Sequence, residues 1–232
     1  MNTIITKLFA ASILLLAMLC GNAHAVIVYA VDDGTAETSV TRSGSGDMMW
    51  LNSFNAVPGG GLIESISLAW GNTGGGSSGL LGGEPTTVLL YDDPTNDGDP
   101  IDAVLLTSAA TAVANPDTDT FLTVPITLTP ISGTFFVAAL MNTPGAPAAF
   151  PVSFDTTAPV LGRSWWVSPA GGLIDINVLA NNPLELVESF GTANAGNWLL
   201  RANAVTVPEP ATLALLGAGL AGLGFSRRKK EA

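Results

Sequence analysis

Between residues 26 and 206 the apolar positions fall into short runs with a period of two, the spacing of a strand whose alternate side chains face a core. Residues 62–70 carry it most plainly: Leu62, Ile66, Leu68 and Trp70 share one face and Ser65, Ser67 and Ala69 the other, with Ile63 and Glu64 breaking the count. Residues 121–128 alternate as well, with Leu122, Val124, Ile126 and Leu128 inward. Pro125, which lacks an N–H, places that run at a sheet edge or a bulge. Residues 133–141 are the most apolar run and predict a central strand. Further strands are predicted over residues 26–31, 48–54, 86–91, 152–155, 163–167, 173–179 and 197–205, with residues 101–107 leading out of a turn and one helical turn within 183–190. Asp32-Asp33-Gly34 and the Asp/Asn-rich stretch 92–100 are turn signals. The glycine-rich loop 71–83 has neither the lysine nor the following helix of a phosphate loop. About ten short strands without an amphipathic helix predict an all-β fold, an antiparallel β-sandwich of jelly-roll or Greek-key type.

The two ends follow a different pattern. Residues 1–25 read as a secretory signal peptide: Lys7, an apolar run to Cys20, then Ala23-His24-Ala25 as a small-x-small site that signal peptidase would cut after Ala25. Leu19 stands before Cys20 where a lipid-acceptor cysteine prefers a small residue, so cleavage downstream is expected. At the other end, residues 207–210 (Val-Pro-Glu-Pro) stop any helix. Residues 211–225 are 15 uncharged residues, and Arg227, Arg228, Lys229 and Lys230 follow. As a helix the apolar run spans roughly 22 Å against a hydrocarbon core of about 30 Å. Ser226 and snorkelling cations extend it, giving a short transmembrane segment over 211–226. The basic tail, 227–232, acts as a membrane stop on the cytoplasmic side.

That order of parts resembles the PEP-CTERM sorting signal. The resemblance rests on Pro208, Glu209 and Pro210, the short Gly/Leu/Ala span and the basic terminus, and covers residues 207–232. It implies recognition by an exosortase, transient anchoring in the inner membrane, and delivery to the cell surface or extracellular matrix. Under it, Pro208, Glu209 and Pro210 are recognition residues. The opening AVDDGTAE and closing NWLLRANA also resemble, loosely, jelly-roll modules of secreted bacterial proteins.

Charge and composition narrow what the middle can do. Residues 26–206 hold 17 acidic residues against Arg42, Arg163 and Arg201, with no lysine, which repels a nucleic-acid backbone. The only Cys and the only His lie before residue 26. An internal disulfide, a Cys or His nucleophile, a His base and a thiolate or imidazole metal site are therefore excluded from the mature domain.

Three constellations remain. Asp92, Asp93, Asp97 and Asp99 offer clustered hard oxygens for calcium, although Thr95 and Val104 break the EF-hand pattern and the same residues suit a solvated turn. Trp50, Trp70, Trp165, Trp166 and Trp198 suit either sugar stacking or the core; adjacent Trp165 and Trp166 must face opposite ways. Arg163 and Arg201 lie in strand-like runs and are expected to pair with carboxylates such as Asp155 or Asp33. Acid/base catalysis would have only carboxylates, as in a glycoside hydrolase, and no pair stands out. The reading is a non-enzymatic extracellular structural or interaction protein of the envelope or exopolysaccharide matrix; a carbohydrate-binding module is the alternative.

The processed protein is expected to begin at Val26 and to lack the residues after Pro210. Intact mass of protein from cell surface and medium checks this, and retention of residues 227–230 would mean a simple anchor.

Overall fold

The computed structural model describes residues 26–71, 77–190 and 195–205. The predicted leader with Ala23 and Ala25, the sorting residues Pro208, Glu209 and Pro210, and the tail with Arg227, Arg228, Lys229 and Lys230 lie outside the described residues. Thirteen strands run along the described chain: β1 (Val26–Tyr29), β2 (Thr38–Val40), β3 (Gly46–Asn55), β4 (Leu62–Trp70), β5 (Pro85–Asp92), β6 (Val104–Ala112) and β7 (Thr118–Pro130) come first. β8 (Thr134–Thr143), β9 (Val152–Asp155), β10 (Ser164–Val167), β11 (Leu184–Leu186), β12 (Asn197–Trp198) and β13 (Leu200–Val205) follow. Short 3-10 turns occur at Pro100–Asp102, Leu179–Asn181 and Val187–Phe190.

The strands form two antiparallel sheets. The first runs β1-β13-β4-β9-β12, with β7 paired to β4 and β2 to β9; the second runs β11-β10-β3-β8-β5-β6. Neighbours are mostly distant in sequence, as a jelly-roll or Greek-key sandwich requires. β8 is central, flanked by β3 and β5 as its apolar run predicts, and β7 pairs only with β4, so Pro125 sits on an edge. The break in the alternation of β4 is a bulge against β13, where Ser65 faces Asn203 and Ile63 faces Ala204, leaving Glu64 extra. By inserting a residue, it turns Ile63 rather than Glu64 into the core, where Ile63 is fully buried. Leu128, expected inward, is exposed: it lies where β7 shifts register against β4, between Pro125 and Thr129.

The core lies between the sheets. Trp50 of β3 meets Trp70 of β4 edge-to-face, ring centroids 6.1 Å apart, and Trp198 packs on Phe154 and Trp166. Four of the five tryptophans are therefore core residues. Trp165 and Trp166 do face opposite ways: Trp166 joins this core and Trp165 a second cluster on the outer face of the second sheet. That cluster, with Met49, Leu51, Leu89, Tyr91 and Phe136, is covered by Ile174, Ile176 and Leu179. Residues 173–179 are thus a cover and not the predicted strand. The Asp175 carboxylate accepts from the amide of Asn181 and from the backbone N–H groups of Asn177 and Val178, which closes a local turn in place of a ladder. These hydrogen bonds, that of Asn181 foremost, hold the Asp175 carboxyl below the usual carboxylate range. Burial pushes the Tyr91 phenol well above its ordinary value, and its hydroxyl donates to Ile176 O at 3.0 Å. The predicted turn in 183–190 begins instead as strand β11 and becomes 3-10 only at Val187.

Asn52 links the sheets directly. Fully buried on β3 of the second sheet, it donates through Nδ2 to Trp198 O at 2.9 Å and Leu200 O at 2.8 Å, both in the first sheet. Its Oδ1 accepts from Ser164 Oγ at 2.7 Å. Asn52→Ala strands these three partners in a dry core. The expected loss is about 3 kcal/mol of unfolding free energy, read by denaturant titration.

Candidate binding cleft and acidic turn

Residues 38–43, a polar stretch in which sequence reasoning saw no strand, form β2 and its continuation. Val40 packs against the main core and anchors the segment, while β2 pairs with β9 through Thr38, Ser39 and Val40. Between this segment and the second sheet opens a cleft of about 440 Å³, within the usual range of small-molecule sites. Its floor is aromatic, made by Phe154, Trp166 and Trp198, and its walls carry the hydroxyls of Thr38, Ser39, Thr41, Ser43, Thr156 and Ser168. The rings expose little surface, Trp166 only 7% and Trp198 none, so they shape the floor and offer no open stacking platform. The predicted sugar-stacking set of tryptophans is therefore not assembled as an exposed surface; burial in the core took it.

Arg42 also lines the cleft. Its Nη1 donates to Asp47 O at 2.7 Å and its Nη2 to Pro169 O at 3.0 Å. Gly46 makes room for this guanidinium: with φ at +139°, a Cβ there would stand 2.2 Å from Arg42 Nη1 and 2.7 Å from Gly172 Cα.

Arg201 serves the fold. It bonds Asp32 through Nε and Nη2, and its guanidinium lies 4.1 Å from the Phe121 ring centroid. The segments 30–37 and 197–204 therefore meet through an ion pair, but the partner is Asp32 and not the expected Asp33 or Asp155. Asp155 is fully buried and accepts from the backbone N–H groups of Asp33, Thr157 and Ala158. Asp33 accepts from the hydroxyl and N–H of Thr35, and these bonds hold its carboxyl below its ordinary value. Arg163 forms no ion pair among the described residues; it lines a smaller polar cavity of about 280 Å³ beside Asn55, Asn96 and Asp97.

The acidic turn closes differently from its expected ligand set. Asp93, Asp97 and Asp102 bring carboxylate oxygens within 4.8 Å of one another. Asp102 is returned to the group by the 3-10 turn Pro100–Asp102, a local fold the residue spacing did not reveal. Asp92 and Asp99 do not join the group: Asp92 ends β5, and Asp99 caps the 3-10 turn by accepting from Ile101 N at 3.0 Å. Asp93 is buried and already occupied, Oδ1 accepting from Asn96 N and Thr95 Oγ1, Oδ2 from Gly98 N.

A family model, the PEP-CTERM protein-sorting motif, matches residues 206–229. The chain carries a PEP-CTERM sorting motif. The motif marks the protein for export and for exosortase sorting to the cell surface. No curated protein matches the chain along its sequence. In fold, the chain is similar to the cysteine protease Cwp84 after propeptide cleavage, at TM-score 0.56 and 12% identity, over 78% of this chain and 40% of that one. It is similar too to a structure of the cysteine protease and lectin-like domains of Cwp84, a surface-layer-associated protein of Clostridium difficile. There the TM-score is 0.52 and the identity 12%, over 78% of this chain and 36% of that one. The chain thus spans well under half the length of the chains it resembles, and at this identity the likeness is one of fold.

Asp93→Ala is expected to cost about 3 kcal/mol, because it removes a buried carboxylate that organises three donors of the turn. Asp99→Ala loses a single exposed cap and is expected to cost no more than about 1 kcal/mol. Parallel denaturation curves separate the two roles.

Proposed function

We propose that the protein is a non-enzymatic interaction domain, displayed at the cell surface or in the extracellular matrix, that holds polysaccharide in its inter-sheet cleft. The observation that carries this reading is the cleft itself: a partly enclosed cavity with hydroxyl-bearing walls over a shaped aromatic floor, chemistry that suits a sugar. The described walls carry no carboxylate, whereas glycoside hydrolysis needs two flanking the bond, and this supports the non-enzymatic reading. The likeness in fold to a structure that includes a lectin-like domain supports it further. In this reading signal peptidase frees Val26, and residues 211–226 anchor the protein in the inner membrane until exosortase acts.

Calcium enters as a second reading, favoured by the convergence of Asp93, Asp97 and Asp102. Hard oxygens of this kind suit a cation that bridges the acidic domain to an anionic matrix. Millimolar calcium is then expected to raise the thermal midpoint of the wild type and not that of Asp97→Asn.

Thr156 is exposed at the cleft, so Thr156→Trp fills it from the rim. The wild-type protein is expected to co-sediment with its host's extracellular polysaccharide, and Thr156→Trp to remain in the supernatant while melting normally. Equal co-sedimentation of both would sink the reading.

A further inference from the structure

Among the residues lining the cleft, Arg42 is the one that carries a charge. That is unexpected on composition, since residues 26–206 hold 17 acidic residues and three basic ones. Arg42 is 7% exposed, yet among the described residues it has no carboxylate partner, and its guanidinium donates only to two backbone carbonyls. Its Nε has no hydrogen-bond partner among the described residues. Burying a cation without a counter-ion is costly, and proteins ordinarily pair such a charge. The same segment leaves Ser39 Oγ and Thr41 Oγ1 buried without partners. These three atoms lie beneath the surface of the wall, so an occupant of the cleft would meet Arg42 as a positive field and not through a bond to Nε.

We propose that the cleft selects a carboxylate-bearing sugar, a hexuronate unit of an acidic polysaccharide, with Arg42 supplying the positive field that holds it. The proposal rests on the saccharide reading above and adds the charge class. A single uncompensated guanidinium matches a monoanionic carboxylate; a dianionic phosphate would call for further cations, and the lining residues have none. Because the rings are nearly covered, selectivity falls to charge and hydroxyl contacts, with little left to stacking. The domain's overall negative charge repels polyanions at long range, so selection is local and short oligomers report it best.

The test uses the exported protein, with trimers of galacturonate and of glucuronate and the same trimers after carboxyl reduction, followed by calorimetry. An acid trimer is expected to bind roughly tenfold or more tighter than its reduced form, as expected for loss of a charge contact. Ser43 is exposed and lines the cleft, so Ser43→Asp places a rival carboxylate beside Arg42 without disturbing the core. It is expected to weaken acid-trimer binding by a similar, roughly tenfold factor, with the thermal midpoint unchanged. Arg42→Gln should abolish the preference for the acid form; should that variant not fold, Ser43→Asp decides alone. Equal affinity for acid and reduced trimers, or indifference to Ser43→Asp, overturns the charge selection and leaves saccharide binding standing. Binding of none of the trimers overturns this proposal together with the saccharide reading beneath it.

Discussion

The carboxamide of Asn52 ties the two sheets together through the dry middle of the sandwich. Apolar packing alone lets two sheets slide past each other at little cost, because dispersion contacts are non-directional. A donor that reaches two carbonyls of the opposite sheet is directional, and it fixes which residues face each other. Around it the tryptophans take their places: Trp198, whose carbonyl Asn52 holds, packs against Phe154 and Trp166. Those same three rings are the floor of the cleft. Asn52 thus helps to set both the registration of the sheets and the shape of the candidate site, together with Trp198, whose indole Nε1 donates to Trp165 O of the second sheet.

The three arginines of the domain divide its work. Arg201 closes the seam between the opening and closing segments by pairing with Asp32 and lying over Phe121. Arg163 stands at a polar recess beside the acidic turn. Arg42 is enclosed near Gly46 and Gly172 without a counter-ion. In a chain so rich in carboxylates, a buried arginine with no ion pair among the described residues is a costly arrangement, and it stands on the wall of a cavity.

Much of the fold was legible because period-two alternation reports burial, and burial decided most of the strands. β4, β8 and β9 lie close to where the alternation and the apolar runs put them. Even the fault at Ile63 and Glu64 was visible before its cause, the bulge, was known. Residues 173–179 show the limit of the signal. Ile174 and Ile176 do point at a core, yet alternation says only which side chains are buried and not whether the backbone has a neighbour. Asp175 captured the backbone first. The cleft was hidden for the converse reason: β2 is short and polar, and only Val40 within it hints at a core contact. The turn at residues 92–100 was found by composition, but its geometry was not. Asp93 faces inward as the hub, and Asp102 arrives through a 3-10 turn that no spacing rule anticipates.

One register has a consequence for how the molecule comes into being. β1 pairs with β13, and the outermost partners are Val26 and Val205. The first strand of the sandwich thus finds its only neighbour in the last, with the whole domain threaded between them. A chain delivered across a membrane from its N-terminus must hold β1 unpartnered until its final strand has crossed. Closing so long a loop is among the slower steps available to a β-protein. Pairing of β1 with β13 therefore comes last, after every other strand of the domain has been made.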